Sequence, residues 1–275
     1  MVLWQVDFYR RPLQSDRGEP LWELVIREPV SNFTHVDRVP QSEAIASWLV
    51  DRLQKAAPTL PDRLQVFRPQ CLSLLETAGK QLGIPVEATR RTLSLKKVLR
   101  DRAIAYLEMP EFSGETYDPV ALEKPPPLPL PEEVRGDRWQ FASVSAGDLL
   151  LLTERPIPVK FAPEFLFPVR LGLASTQVIS GVVIYGGRRS MQLARWLEAA
   201  QPVSLNYIPA QTDGLVLGIG LVDRIIMATF DDPEVKAAAR TYQKQQQQAK
   251  GLHFLLVQPD DSGMTYSGFW LLQPA

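Results

Sequence analysis

The chain has 275 residues, of which 45% are hydrophobic and 22% are charged, the proportions of an ordinary globular protein rather than a disordered one. Its 30 Lys and Arg residues are nearly balanced by 31 Asp and Glu residues, so a net charge of −1 provides no global field for attracting nucleic acid or an anionic membrane. The single cysteine, Cys71, excludes an intramolecular disulfide and a zinc cluster of several thiolates, and it fits a reducing compartment.

Patterning in the first part of the chain predicts a domain that mixes strands and helices. Alternating apolar residues predict strands, whereas apolar residues at three- and four-residue spacing predict helices. Ser42 precedes such a spacing at Ile45, Trp48 and Leu49, so its hydroxyl is expected to cap a helix. In chain order, the predicted elements are strands over 3–9 and 21–26, a helix after Ser42, a strand over 64–67, and helices that begin near Pro69 and Ser94.

A proline-rich segment, residues 118–133, interrupts these patterns. The seven residues from Pro125 to Pro131 include five prolines, which excludes a helix or a central strand and favours an extended spacer. A docking ligand for a polyproline-binding domain is the alternative interpretation. We therefore predict an N-terminal α/β domain over 1–117, a linker over 118–133 and a C-terminal α/β domain over 134–275.

The second part of the chain again alternates between strand and helix patterns. Asp232, Pro233 and Glu234 form a strong helix start, with a capping side chain, a proline at the first position and an acid near the positive end of the dipole. The predicted elements are strands over 139–144, 178–185, 203–208, 215–222, 225–230, 252–257 and 265–272, with helices from Ser190 and from Pro233 to Lys250.

A shared pattern links one predicted helix in each half. The residues Ser42-x-x-Ile-Ala-x-Trp-Leu are matched by Ser190-x-x-Leu-Ala-x-Trp-Leu. Internal duplication explains the match, and independent recurrence of a common helical pattern explains it equally well. The expected fold class is thus α/β (α+β), with two related mixed α/β halves joined by the linker.

Residues suited to catalysis are scarce. The two histidines, His35 and His253, are not spaced from a nucleophile or carboxylate as a triad or metal site requires, and Cys71 lies on the apolar side of a helix. We therefore expect no catalytic residues, no metal and no cofactor, and we predict that the protein is not an enzyme.

Two weaker patterns leave alternatives open. The acids Glu23, Asp62 and Glu87 provide carboxylates for a divergent metal-dependent nuclease, although they lack the acid-x-Lys spacing of that class. The turn over 186–190 joins a strand to a helix and contains two glycines and two arginines, so it either holds a phosphate or is an ordinary connection.

Basic residues are concentrated in the helix predicted from Ser94. Lys96 and Arg100 lie one turn apart with Lys97 beside them, opposite the apolar face of Leu95 and Leu99. Such a stripe suits contact with a phosphate backbone, whereas a solvated helix face is the simpler interpretation.

A second patch lies in the first two strands and combines aromatic and basic residues. Phe8 and Tyr9 are followed by Arg10 and Arg11, and Trp22 lies on the neighbouring strand. Single-stranded RNA is recognised by aromatic rings that stack on bases and by arginines that neutralise phosphates. Because strand residues alternate between two faces, only some of these side chains can be exposed.

Five short segments occur in an order that spans the whole chain: Asp7–Pro12, Leu21–Leu24, Val66–Gln70, Gly251–Leu255 and Gly268–Leu272. Together they resemble the Tab-type family of cyanobacteria and chloroplasts, which consists of A/U-rich-RNA-binding proteins. Arg10 departs from the small polar residue expected at that position of the family.

The resemblance implies binding of A/U-rich single-stranded RNA in support of the synthesis or biogenesis of photosystem reaction-centre proteins. The start of the chain reads as a strand rather than a targeting peptide, and no apolar run reaches the roughly 20 residues needed to span a membrane, so a cyanobacterial, cytoplasmic protein is expected. An assembly factor that contacts photosystem biogenesis proteins is the alternative, and the oligomeric state stays open. The expected RNA contacts are Phe8, Tyr9, Arg10, Arg11, Trp22, Lys96, Lys97 and Arg100.

Overall fold

Two units make up the computed structural model, which describes residues 2–274. The first unit extends to Glu123 and the second begins at Lys124. Both contain mixed sheets and helices, which confirms the predicted α/β class. None of the helices within residues 2–274 is both long enough and apolar enough to cross a membrane.

The first unit is built on one five-stranded sheet. Its strands are β1 (Leu3–Gln14), β2 (Pro20–Arg27), β3 (Thr34–Pro40), β4 (Arg63–Val66) and β5 (Val86–Ala88). Its helices are α1 (Ala46–Ala56), α2 (Pro69–Leu82) and α3 (Leu93–Tyr106). The strand order is β3-β2-β1-β4-β5, in which β1, β2 and β3 are antiparallel, β4 is parallel to β1, and β5 is parallel to β4.

The two faces of this sheet have different partners. Trp4, Val6 and Phe8 of β1 belong to the core cluster that includes buried residues of α1 and α2. The alternate residues of β1 face α3, where the Leu95 N–H donates to Gln5 Oε1 at 3.0 Å. Because side chains alternate along a strand, the buried polar residues Gln5, Asp7 and Arg11 are placed on the α3 face.

Several predicted boundaries differ from those observed. β1 continues to Gln14 instead of ending at Tyr9, and neither β3 nor β5 was predicted. Ser42 does not cap α1, because it lies in a separate 3₁₀ turn, Gln41–Glu43, and the residue that precedes the helix is Ile45. The predicted start of α2 at Pro69 is confirmed.

The second unit contains two sheets and three helices. Its strands are β6 (Leu128–Pro129), β7 (Arg138–Ser145), β8 (Val159–Phe161), β9 (Val178–Tyr185), β10 (Pro202–Ile208), β11 (Asp213–Ile219), β12 (Asp223–Phe230), β13 (His253–Gln258) and β14 (Gly268–Leu272). Its helices are α4 (Ala146–Glu154), α5 (Ser190–Ala200) and α6 (Pro233–Gln248). The strand orders are β10-β11-β12-β6 and β7-β9-β13-β14-β8.

The start of α6 is confirmed by its cap. Asp232 Oδ1 accepts hydrogen bonds from the Glu234 N–H at 2.8 Å and from the Val235 N–H at 3.2 Å. The sheets of the two units differ in strand order, and α1 follows an antiparallel three-strand meander whereas α5 precedes one. The helical pattern shared by α1 and α5 therefore does not mark equivalent elements, so it gives no support to an internal duplication.

The proline-rich segment contributes residues to both units. The carbonyls of Pro119 and Ala121 accept hydrogen bonds from Arg68 in the first unit. Leu128 and Pro129 form β6 and pair with β12 in the second unit. The division between the units, at Glu123 and Lys124, lies inside the segment for which a linker was predicted.

Candidate nucleic-acid interface

A crevice opens where β1 and β4 lie side by side in the first unit. The chain leaves β1 toward β2 on one side and leaves β4 toward β5 on the other, which makes this a topological switch point. In open α/β sheets, ligands bind in the crevice beyond the carboxyl ends of strands at such a point. This switch-point crevice has a volume of about 300 Å³, and its lining includes Tyr9, Arg10, Arg11, Arg68, Gln70 and Tyr117. Three acids, Glu115, Asp118 and Glu123, line it as well.

Two buried arginines form the base of the crevice. Arg11 Nη2 and Arg68 Nε each donate to Asp7, both at 2.9 Å, and the Arg11 and Asp7 side chains have no exposed surface. Arg11 Nη1 also donates to the Tyr117 hydroxyl at 2.7 Å. Arg68 Nη2 donates to the Pro119 carbonyl at 2.7 Å, and Arg68 Nη1 donates to the Ala121 carbonyl at 3.2 Å. These bonds fix both guanidinium groups in place.

Glu23 is a second buried carboxylate on the same face of the sheet. Arg38 Nε and Arg102 Nε each donate to it at 2.9 Å, and the Tyr106 hydroxyl donates to it as well. Burial would raise the pKa of Glu23, but the hydrogen bond from Arg102 and the charge of Arg11 outweigh burial and hold the pKa below its usual value. Glu23 is therefore ionised at neutral pH.

Positive charge exceeds negative charge in this cluster, in which Arg38 and Arg102 are partly exposed. Four guanidinium groups share two carboxylates, which gives a net charge of +2; they are Arg11, Arg38, Arg68 and Arg102, with Asp7 and Glu23. This cationic excess attracts anions, and Glu115, Asp118 and Glu123 of the crevice lining oppose it in part. We refer to these six residues as the arginine cluster.

Two of the expected RNA contacts on β1 are buried. Phe8 is completely buried, and its ring packs against Trp22 at 5.1 Å and Trp48 at 5.5 Å, so it is not available to stack on a base. Arg11 is held inside the arginine cluster, so it contributes charge rather than a surface contact. Strand alternation turns Phe8 toward α1 and α2, and it turns Arg11 toward Asp7.

The neighbouring residues of the predicted patch remain accessible in part. Tyr9 is half-buried, and the Arg68 guanidinium carbon lies 4.1 Å from the centre of its ring, a cation–π distance. Arg10 is exposed, with a loose 3.6 Å ion pair to Glu115. Trp22 is half-buried and meets Tyr9 edge-on at 5.8 Å. Tyr9 and Arg10 are thus the members that reach the crevice.

Helix α3 exposes only part of its predicted basic stripe. Lys97 and Arg100 are exposed, whereas Lys96 is buried and its Nζ donates to the Arg90 carbonyl at 2.6 Å. Burial, together with the charges of Arg100 and Arg90, lowers the pKa of Lys96 to about 8. Lys96 therefore serves mainly to fix the start of α3, and the surface charge comes from its two neighbours.

Phe67 connects α3 with the crevice. Lys96 Nζ lies 5.3 Å from the centre of the Phe67 ring, and the Arg68 guanidinium carbon lies 5.0 Å from it. The Phe67 ring also packs in one cluster with Leu95 and Leu99 of α3. Phe67 therefore joins the buried side of α3 to the base of the crevice.

Sequence reasoning did not identify most of the arginine cluster. Asp7 and Arg68 fall within segments that carry the family resemblance, but their ion pair joins residues 61 positions apart. Arg11 and Tyr117 are separated by 106 positions. The one local signal was the pairing of an acid and an arginine four residues apart on β1.

The glycine-rich turn at 186–190 has its backbone donors occupied. The Gly186 N–H donates to the Gln258 carbonyl at 2.9 Å and the Gly187 N–H to the Pro259 carbonyl at 3.0 Å. The Arg189 N–H donates to the Gly186 carbonyl at 2.9 Å. This is the geometry of an ordinary strand-to-helix connection rather than a phosphate site.

The residues considered for catalysis have separate partners and do not form one site. Within residues 2–274, no group of three or more His, Cys, Asp and Glu side chains is arranged to hold a metal. Glu87 pairs with Arg63 at 3.2 Å, and Asp62 accepts from the Val2 N–H at 2.6 Å, while Glu23 lies in the arginine cluster. Cys71 is buried, and burial raises the pKa of its thiol to about 12.

Comparison with known proteins links both units to one family. The family described as "RNA-binding protein Tab2/Atab2 N terminal" matches residues 3–102, and "RNA-binding protein Tab2/Atab2, C-terminal domain" matches residues 117–273. "Protein TAB2 homolog, chloroplastic" from Arabidopsis thaliana is 27% identical over 281 residues, which cover 98% of this chain and 74% of that protein. The protein of the same name from Zea mays is 27% identical over 286 residues, covering 98% and 70%.

A solved structure of the HTLV-2 integrase catalytic core domain matches 39% of this chain and 73% of its own, at 15% identity and a TM-score of 0.27. That likeness is too weak to carry an argument. The two family matches, by contrast, cover nearly the whole sequence in the expected order. The chain belongs to the Tab2/Atab2 family of RNA-binding proteins.

Proposed function

We propose that the first unit binds single-stranded RNA across the switch-point crevice and the exposed face of α3. In this arrangement Arg10, Lys97 and Arg100 contact phosphates, and Tyr9 stacks on a base. The observation that carries the proposal is the crevice itself, where a half-buried aromatic ring lies against Arg68 above a cluster with a charge of +2.

Single-stranded RNA fits this site better than a duplex. An unpaired strand can turn a base toward Tyr9 while its phosphates follow the cations, whereas bases inside an RNA helix are not accessible to a side chain in a narrow crevice. Each stacked base contributes about 1–3 kcal/mol, and each neutralised phosphate adds a salt-dependent contribution.

The family resemblance supports an A/U-rich target and a role in making photosystem reaction-centre proteins. The chloroplastic relatives fit a role in photosynthetic tissue, and we extend that role to this chain. A cytoplasmic location and action at the level of translation are parts of the same proposal.

Binding rather than catalysis is favoured by the state of the carboxylates. A metal-dependent nuclease needs acids whose charge is free to hold a cation. Asp7 and Glu23 are instead each bonded to at least two arginines. We therefore include the absence of enzymatic activity in the proposal.

Fluorescence anisotropy with labelled RNA tests the proposed function. The probes are an A/U-rich single strand, a G/C-rich single strand and an A/U duplex of equal length. We expect preference for the first probe, and we expect affinity to fall by about tenfold or more between low and physiological salt.

Charge reversal locates the site. We expect Arg10→Glu to weaken binding by on the order of tenfold, because it replaces a phosphate contact with a repulsive charge. Lys80→Glu is the matched control, since Lys80 is exposed near the other end of α2. Absence of binding at low salt, or equal effects of both variants, would overturn the proposal.

A further inference from the structure

The second unit contains a cavity of about 520 Å³ that the proposed function does not use. It lies between two sheets, where β7 forms the edge of one and β12 lies near the edge of the other. Its lining includes Trp139, Ile184, Leu205, Leu215, Met227 and Thr229. We refer to it as the inter-sheet cavity. Its size falls within the range of about 300–1,000 Å³ that holds small organic ligands.

The floor of the cavity is apolar and its side wall is aromatic. Leu205 and Leu215 are almost fully buried, and Ile184 is nearly so. Trp139 is half-buried and is held edge-on against Phe141 at 5.3 Å. An ordered, half-exposed indole beside aliphatic side chains forms a surface on which a flat ring can stack.

One wall of the cavity presents backbone groups. Within the described chain, β12 pairs with β6 only at Ile225 and Ile226, although β12 continues to Phe230. Its register with β11 shifts beside Met227, so a β-bulge lies at the cavity wall. Bulges next to sites redirect side chains, and an unpaired strand edge offers N–H and C=O groups that can bond to the edge of a base.

The rim of the cavity carries two arginines and one aspartate. Arg135 and Arg138 are both exposed, and Asp137 lies between them in sequence. Arg138 pairs with Asp261, and its guanidinium carbon lies 4.3 Å from the centre of the Tyr185 ring. Arg135 is exposed and lines the cavity. An aromatic wall with an arginine at its entrance complements a ligand that joins a flat ring to a phosphate.

We propose that the inter-sheet cavity binds a nucleotide, with the base stacked on Trp139 and the phosphate on Arg135. This inference rests in part on the proposed RNA-binding function, which it extends to the second unit. A free mononucleotide and a nucleotide within an RNA strand share this chemistry. An extended peptide would also suit the open edge of β12, but it would not by itself account for the arginine beside the indole.

Titration of the full chain with two kinds of probe tests this inference. The probes are UMP and AMP, measured by calorimetry, and a labelled A/U-rich single strand, measured by anisotropy. We expect Trp139→Leu to weaken binding of the strand by about tenfold through loss of one stack. We expect Arg135→Ala to weaken it less and to reduce the slope of log affinity against log salt by about 0.7.

Two further variants serve as controls. Trp139→Phe keeps a flat ring and should bind within about threefold of the wild type, which separates stacking from a loss of packing. Arg195→Ala removes an exposed arginine of α5 that does not line the cavity, and it should leave binding unchanged. Circular dichroism establishes that each variant is folded.

The outcomes separate the two proposals and the two sources of the ligand. If UMP or AMP binds and Trp139→Leu abolishes that binding, the cavity is assigned to free nucleotides. If only the labelled strand binds and Trp139→Leu weakens it, the cavity is assigned to RNA. If Arg10→Glu weakens RNA binding while Trp139→Leu and Arg135→Ala do not, and neither mononucleotide binds, this inference fails and the proposed function stands. The inference would also be overturned if neither probe displaced the other and an acidic extended peptide bound at the cavity instead.

Discussion

The two units bury their polar groups in opposite ways. The first unit buries charges, in a cluster where Asp7 and Glu23 are surrounded by four arginines. The second unit buries a neutral network around His253, whose Nε2 accepts from the Leu205 N–H at 2.8 Å and whose Nδ1 lies 2.8 Å from the Gly251 carbonyl. The polar cluster of the first unit is therefore charged, whereas the network around His253 in the second unit is neutral.

The contrast bears on the proposed function. A buried ion pair is seldom more stabilising than apolar residues of the same shape, so an excess of arginines is poorly explained by stability alone. The arginine cluster adjoins a crevice, as a site for anions requires. His253 instead ties β13 to β10 of the other sheet, which is a structural role.

The largest expected effect comes from a substitution that disrupts the arginine cluster of the first unit. Asp7→Asn leaves Arg11 and Arg68 buried without their shared carboxylate, and we expect the free energy of unfolding to fall by about 3–5 kcal/mol. Asp51→Asn is the control, because its pair with Lys55 is exposed, and we expect its unfolding midpoint to stay close to that of the wild type. Urea denaturation measures both. Similar small losses would show that the buried cluster is not strongly coupled.

The neutral network around His253 should make the stability of the second unit fall at acid pH. Burial lowers the pKa of His253 to about 4, whereas an unfolded histidine titrates near 6.5. Because the unfolded chain binds the proton first, stability is complete above pH 6.5 and is lost as the pH falls toward 4, by about 3 kcal/mol. His253→Gln should be less stable at pH 7 but should lack this part of the pH dependence. Parallel pH profiles for both proteins would refute the assignment.

Tyr9 tests the aromatic part of the crevice. We expect Tyr9→Leu to weaken binding of an A/U-rich single strand by about 1–3 kcal/mol, because one stacked base loses its partner. Tyr9→Phe retains the ring and should bind nearly as well as the wild type. Anisotropy at fixed salt provides the comparison, and equal affinity of Tyr9→Leu and wild type would exclude stacking at this residue.

The smallest expected effect concerns a single surface charge. Lys97→Ala should reduce the slope of log affinity against log salt by about 0.7, the contribution of one phosphate contact in a single strand. Lys80→Ala, which removes an exposed lysine of α2, should leave the slope unchanged. If the two lysines behave alike, α3 does not contact the phosphate backbone.

Local signals predicted the elements that depend on few residues. Pro69 begins α2 and Asp232 caps α6, because a proline at the first position and a capping carboxylate act within one turn. β3 was missed because most of its residues are only partly buried at the edge of the sheet, so its pattern is weak. β5 has only three residues, too few for a periodic pattern.

The site was predictable only where exposure follows from local pattern. Arg10, Lys97 and Arg100 were singled out from charge and spacing, and they are exposed. Phe8 and Lys96 share those signals but are buried. Their burial depends on which helix covers each face of the sheet, a tertiary contact that no short segment of sequence specifies.

Photo-crosslinking of an A/U-rich strand that carries 4-thiouridine, followed by mass spectrometry of the full-length protein, tests the central claim most directly. We predict crosslinks to peptides that contain residues 7–12, 66–70 and 115–123, which surround the switch-point crevice. We also predict that Arg10→Glu suppresses them. A strand that binds in a salt-dependent manner but crosslinks to none of these three segments would contradict the account.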